Sequence, residues 1–149
     1  MDYEQAYRDL EALANEREHG FEEAVVAYLR HHVPHYSWVG IYWVAGSDLV
    51  LGAWNGPEAT KHTRIPVGVG VCGAAAASGK TEVVGDVSAD PRYLECFPST
   101  KSEIVVPIFS DGTVIGEIDI DSSDLEAFGA DDQRFLERVA DLLNVVRAA

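Results

Sequence analysis

Two cysteines are the first residues of this sequence that could do chemistry. Cys72 follows a glycine-punctuated stretch and precedes Gly73 and a run of alanines, at the predicted start of a short helix. A helix N-terminus lowers a thiol pKa, so Cys72 could be a reactive thiol. The alternative is that it packs as a small buried hydrophobe. Cys96 lies between Glu95 and Phe97 in a long connection, the kind of segment that often carries function.

A row of acids is the second candidate, since they occupy alternating positions of a predicted strand. Side chains of a strand point to opposite faces in turn, so Glu117, Asp119 and Asp121 share one face. Glu103 begins the neighbouring strand and can bring another carboxylate to the same side. Close carboxylates raise one another's pKa and suit an ammonium ligand, whereas the alternative is a surface strand whose polar face meets water. The opposite face is expected to be apolar: Val114, Ile118 and Ile120.

Patterns for metals and nucleotides are weaker. The five histidines are scattered and neither a CxxC nor an HExxH pattern occurs, so we expect no metal site. Residues 68–73 satisfy GxGxxG spacing, but the helix after them spans barely two turns and the neighbouring strands form hairpins. The Gly-Lys-Thr triplet at 79–81 closes a helix, whereas a P-loop opens one. We therefore expect no cofactor.

Charge and composition exclude several partners. With 25 acidic against 11 basic residues the net charge is −14, which repels nucleic acid and anionic membranes. Neither a membrane-length apolar run nor a secretory leader occurs, and two cysteines are too few for a disulfide scaffold. We expect a cytoplasmic protein with reduced thiols and one domain over residues 1–149.

The elements that must position these residues follow from periodicity. Apolar residues at helical spacing predict two helices before residue 30 and one after residue 130. Alternating segments predict two hairpins, 38–54 and 104–120, with a short helix at 72–78 and a lid-like connection at 85–100 between them. The pattern predicts an α+β domain, in which a central antiparallel sheet is flanked by N- and C-terminal helices.

Several motifs resemble the stand-alone GAF-domain enzymes that reduce free methionine-(R)-sulfoxide. The resemblance runs from Trp38 to about Leu143 and is specific in its combination of two cysteines with the acidic strand. The motifs that carry it are Trp38-Val39-Gly40-Ile41-Tyr42, Leu49-Val50-Leu51-Gly52, Arg64-Ile65-Pro66-Val67-Gly68, Gly70-Val71-Cys72-Gly73, Ser102-Glu103-Ile104-Val105-Val106-Pro107 and Ile118-Asp119-Ile120-Asp121-Ser122.

The resemblance implies a role for each candidate residue. Cys96 is the attacking thiol and Cys72 its resolving partner, with a thioredoxin-like dithiol as reductant. Carboxylates matching Glu103, Asp119 and Asp121 bind the free amino acid. The family also implies a homodimer. Trp38 is either an apolar wall of the substrate pocket or an ordinary core aromatic.

One position departs from the family pattern. His62 stands where the family typically carries a third cysteine, the usual disulfide partner of the attacking thiol, so the recycling step is expected to differ. An alternative function is a GAF sensor or binding module that holds a small ligand without chemistry. Turnover of methionine sulfoxide with dithiothreitol distinguishes the two.

Overall fold

A computed structural model describes residues 1–16 and 19–148, so that Arg17, Glu18 and Ala149 of the expected domain lie outside the described residues. In chain order the elements are helices α1 (Tyr3–Glu16) and α2 (Phe21–His32), strands β1 (Trp38–Ala45), β2 (Asp48–Asn55) and β3 (Arg64–Pro66), helix α3 (Gly70–Ser78), strand β4 (Glu82–Val84), a 3-10 turn (Val87–Ala89), strands β5 (Ser102–Ser110) and β6 (Thr113–Ser122), and helix α4 (Ala130–Ala148). No helix within the described ranges combines the length and apolar character that a membrane span needs.

The six strands form one sheet in the order β3-β2-β1-β6-β5-β4, and each neighbouring pair is antiparallel. The two predicted hairpins, β1–β2 and β5–β6, meet where β1 pairs with β6 at the centre of the sheet. Helices α1, α2 and α4 come from the two ends of the chain, which confirms the predicted α+β arrangement.

One face of the sheet packs against the terminal helices. The apolar positions of the central strands point to this face, as alternation predicts for Ile118 and Ile120. Both are buried, and burial of each such side chain contributes about 1.5–3 kcal/mol. The cluster also contains Val39, Ile41, Ile104, Val106, Ile108, Phe135, Val139 and Leu143.

Val114 does not share that face, so this part of the prediction is wrong. The register between β5 and β6 shifts between Ile108 and Phe109, which gives β6 one extra residue. As a result Ile115 packs against the terminal-helix core, whereas Val114 contacts the end of α3 beside Gly79 on the opposite face. A bulge reverses the alternation that a regular strand would keep.

Asp132 ties the two ends of the chain together. Its Oδ1 accepts hydrogen bonds from the Tyr3 hydroxyl at 2.5 Å and the Tyr36 hydroxyl at 2.8 Å, and lies 2.7 Å from His35 Nε2. Its Oδ2 accepts from the Gly129 N–H at 2.9 Å. Burial tends to raise the pKa of Asp132, but these hydrogen bonds outweigh it and lower the pKa below the ordinary value.

The opposite face is covered by α3 and the connection 85–101. Gly70 takes a positive φ of 70° as α3 begins, two residues earlier than predicted, and Gly79 ends the helix in the left-handed conformation as expected. A Cβ on Gly73 would lie 2.7 Å from the Pro66 carbonyl oxygen, so glycine allows α3 to pack closely on the β3 segment. Cys72 is therefore held in the first turn of a tightly packed helix.

Candidate active site

The acids of β6 lie on the sheet face beneath α3. Strand pairing places Asp121 opposite Glu103 of β5, Asp119 opposite Val105, and Glu117 opposite Pro107. All four acids are at most 5% exposed, and Glu117 is fully buried. The alternative of a polar face in contact with water is therefore wrong, because α3 and the connection after β4 cover these side chains.

The four carboxylates have few partners. Asp121 Oδ2 accepts a hydrogen bond from the Thr100 hydroxyl at 3.1 Å. Both oxygens of Glu117, Oδ1 of Asp119 and Oδ1 of Asp121 are buried without a hydrogen-bond partner. Among residues 1–16 and 19–148, no lysine, arginine or histidine forms an ion pair with any of the four.

Burial without a counter-ion favours the protonated acids. Desolvation raises the pKa of Glu103, Glu117 and Asp121 well above their ordinary values, and the charge of Asp119 raises all three further. Desolvation also raises the pKa of Asp119, against hydrogen bonds with Glu103 and Cys72 that lower it. The cluster can therefore supply protons and can ionise when a cation enters.

Both cysteines lie beside this acidic cluster, and both are free thiols. Cys72 is buried in the first turn of α3, and its sulfur, a Glu103 carboxylate oxygen and an Asp119 carboxylate oxygen lie within 4.8 Å of one another. Cys96 is half-buried in the connection, where its thiol donates to the Leu94 carbonyl at 3.7 Å. The structure thus brings the two thiols and the acids to one region.

The environment raises the pKa of both thiols. Burial, followed by the charges of Asp119, Glu117 and Glu103, raises the pKa of Cys72 well above the ordinary value. The prediction that the helix N-terminus would lower it is wrong, because desolvation and the neighbouring acids dominate. Burial and the charge of Asp119 raise the pKa of Cys96 to about 12, although a hydrogen bond with Thr60 lowers it.

Trp38 forms part of an aromatic wall at the Asp121 end of the cluster. It pairs with Asp121 across β1 and β6, and its buried ring lies over Gly40, where a Cβ would come within 2.3 Å. The centroid of its ring lies 5.8 Å from that of Phe97 and 6.2 Å from that of Trp54, with Trp54 stacked. We call Trp38, Trp54 and Phe97 the aromatic wall.

The segment 60–62 connects the β2–β3 loop to the Cys96 region. The backbone N–H of His62 donates to Thr60 Oγ at 3.1 Å, and the His62 ring Nε2 lies 3.1 Å from the Glu95 carbonyl oxygen. The Tyr42 hydroxyl donates to the His62 carbonyl at 2.6 Å. His62, which stands where the family typically has a third cysteine, is therefore hydrogen-bonded to the segment that carries Cys96.

Sequence reasoning missed Thr60 and Tyr42. Tyr42 lies four residues after Trp38 on the same face of β1 and pairs with Glu117, so alternation could have placed it on the acidic face. Burial raises its pKa, and the charges of Asp119 and both thiols raise it further. Thr60 lies in an irregular loop, and no local pattern marks it.

This arrangement combines three chemical capabilities. Buried carboxylates can bind an ammonium group, the aromatic wall can contact an apolar chain, and two thiols can exchange electrons with a bound sulfur compound. None of these requires a metal or a nucleotide.

Comparison with known proteins identifies the family. The GAF domain family matches residues 19–146 of the chain. A free methionine-R-sulfoxide reductase of Saccharomyces cerevisiae is 45% identical over 112 residues, which cover 72% of this chain and 61% of the yeast protein.

Two solved structures are similar across nearly the whole fold. The free methionine-R-sulfoxide reductase of Neisseria meningitidis, determined in complex with its substrate, is 38% identical with a TM-score of 0.90, covering 97% of this chain and 87% of that chain. The type II free methionine-R-sulfoxide reductase of Thermoplasma acidophilum is 40% identical with a TM-score of 0.83, covering 90% and 94%. This chain belongs to the GAF domain family and, within it, to the group that contains the free methionine-R-sulfoxide reductases.

Proposed function

We propose that this protein reduces free methionine-(R)-sulfoxide to methionine, with Cys96 as the nucleophile and Cys72 as the resolving thiol. The observation that carries the proposal is the buried face on which four acids without an ion-pair partner lie beside both thiols. A ligand-binding module needs a pocket but has no use for two thiols beside proton donors. The named relatives support the same activity.

Substrate selectivity follows from the acids. Glu103, Asp119 and Asp121 bind the α-ammonium group of the free amino acid, which a methionine within a peptide lacks. The aromatic wall, through Trp38, contacts the thioether end of the side chain. Binding an ammonium group here also supplies the positive charge that the four acids lack among the described residues.

The first chemical step transfers oxygen to Cys96. The Cys96 sulfur attacks the sulfoxide sulfur, and a protonated acid of the cluster donates to the sulfoxide oxygen. The hydroxyl group then passes from the substrate sulfur to the Cys96 sulfur, as the substrate's S–O bond and the S–S bond formed by the attack both break. Methionine leaves with its sulfur reduced by two electrons, and Cys96 becomes a sulfenic acid, oxidised by two electrons.

The second step regenerates the thiol. Cys72 loses its proton and attacks the Cys96 sulfur, which forms a disulfide and releases the hydroxyl group as water. A thioredoxin-like dithiol then reduces the disulfide. His62 occupies the position where the family typically has a third cysteine. Its ring contacts the carbonyl of Glu95, the residue before Cys96, and so helps to position the Cys96 segment.

Substrate binding also activates the nucleophile. The charges of Asp119 and Asp121 raise the pKa of Cys96, and an ammonium group between them neutralises that effect. We therefore expect the Cys96 thiolate to be more populated in the substrate complex than in the free protein.

A single-turnover experiment on two matched serine variants tests this division of roles. With one equivalent of substrate and no reductant, Cys96→Ser forms no methionine. Cys72→Ser releases one methionine per chain and stops with Cys96 as a sulfenic acid, because nothing resolves it. Mass spectrometry of the wild-type protein finds a Cys72–Cys96 disulfide.

Two results contradict the proposal. If the wild-type protein and both variants form no methionine while both thiols stay free, the chain is a binding module. If Cys72→Ser is inactive and Cys96→Ser completes one turnover, the two roles are exchanged.

A further inference from the structure

The acidic cluster and Cys72 together offer a set of metal-ligand atoms, a role that the proposed reaction does not give them. The Cys72 sulfur and one carboxylate oxygen each from Glu103 and Asp119 lie within 4.8 Å of one another. Ligand atoms around a tetrahedral zinc ion are about 3.5 Å apart, a separation that small side-chain movements can reach. Motif spacing in the sequence gives no hint of this set, because its members come from α3, β5 and β6.

A second observation points to a cation at the same place. Both carboxylate oxygens of Glu117 and Oδ1 of Asp119 are buried without hydrogen-bond partners. Glu117 lies close to Cys72, since its charge is among those that raise the pKa of that thiol. Unpartnered buried oxygens are costly, and coordination of a cation satisfies them.

We propose that Cys72, Glu103 and Asp119 bind a divalent cation of the zinc class, with Glu117 as fourth ligand or as acceptor for a bound water. A thiolate selects borderline and soft cations over Mg²⁺ and Ca²⁺. The Cys72 thiol and each carboxyl ligand that is protonated release their protons to solvent as the bonds to the metal form, and no group is oxidised or reduced.

Binding of this cation excludes both steps of the proposed reaction. The metal occupies carboxylates that the substrate ammonium needs and holds the resolving thiol. Conversely, a Cys72–Cys96 disulfide removes the thiolate ligand and releases the metal. The site therefore couples metal occupancy to the oxidation state of Cys72.

Cobalt(II) titration of the reduced, chelator-treated protein tests the site, because a thiolate–cobalt bond gives a charge-transfer band in the near ultraviolet. We expect the band in the wild-type protein and in Cys96→Ser, the matched thiol control, and its loss in Cys72→Ser. Asp119→Asn weakens cobalt binding about tenfold or more. Zinc displaces the cobalt, and it slows alkylation of Cys72 but not of Cys96.

Absence of the band from the wild-type protein overturns this inference, as does its persistence in Cys72→Ser. Because alkylation is measured on the wild-type protein, the test does not depend on whether Cys72→Ser folds. If the protein reduces the sulfoxide in the presence of a chelator but does not bind cobalt, the metal site is refuted and the proposed function stands. If the protein binds cobalt but does not reduce the sulfoxide, the proposed function is refuted and the metal site stands.

Discussion

Glu117 offers a direct test of what the buried acids cost the fold. It is fully buried, and neither carboxylate oxygen has a hydrogen-bond partner. An unsatisfied buried polar group costs about 1–3 kcal/mol. Glu117→Val replaces it with a β-branched side chain of similar volume that suits a strand. We therefore expect the variant to be about 1–3 kcal/mol more stable, even at acidic pH.

The gain grows with pH. Desolvation, followed by the charge of Asp119, raises the pKa of Glu117, so the folded chain keeps a proton that the unfolded chain loses above about pH 4.3. From there up to the raised folded pKa, Glu117 alone lowers wild-type stability by up to about 1.4 kcal/mol per pH unit. Glu117→Val lacks this dependence.

Urea denaturation across this pH range, with a chelator present, measures both effects. In thermal unfolding, each kcal/mol of difference in the free energy of unfolding corresponds to about 2–4 °C in Tm for a chain of this size. Glu117→Gln is the matched control, because it keeps two unsatisfied polar atoms but removes the titration. A Glu117→Val protein less stable than the wild type at neutral pH would refute the reasoning, as would a gain that does not change with pH.

Two further predictions concern activity. Asp121→Asn lowers kcat/KM for free methionine sulfoxide, since removing one partner of a desolvated charge pair costs about 2–5 kcal/mol. Circular dichroism is expected to show that the variant keeps its fold. Kinetics equal to those of the wild type would contradict this role of Asp121. Thr60→Val removes the hydroxyl that lowers the Cys96 pKa. A hydrogen bond to a charged group is worth about 1.5 kcal/mol, so the single-turnover rate below the Cys96 pKa falls about tenfold and its pH profile moves upward. An unchanged profile would exclude this role of Thr60.

Local pattern was sufficient to predict the acidic face but not its environment. Strict alternation places Glu117, Asp119 and Asp121 together, and pairing of adjacent strands brings in Glu103. The same alternation fits a surface strand equally well. Burial depends on α3 and the connection 85–101 folding over the sheet, which is a long-range packing event that no local period encodes.

The parts of the site outside regular structure were harder to predict. Cys96 and Thr60 lie in irregular segments, so only the tertiary fold brings them together. A helix N-terminus lowers the pKa of an exposed thiol, whereas packing of α3 buries Cys72 and raises its pKa. Val114 was misplaced because a bulge adds a residue to β6.

Formation of methionine from an equal mixture of the R and S epimers of the free sulfoxide, with dithiothreitol as reductant, tests the central claim most directly. Chromatography of the reaction of the reduced wild-type protein is predicted to show consumption of the R epimer, half of the mixture, with the S epimer left. N-acetylmethionine sulfoxide, whose nitrogen carries no positive charge, is predicted to remain unreacted. If the reduced protein forms no methionine from the free sulfoxide, or reduces the acetylated compound equally well, the account is contradicted.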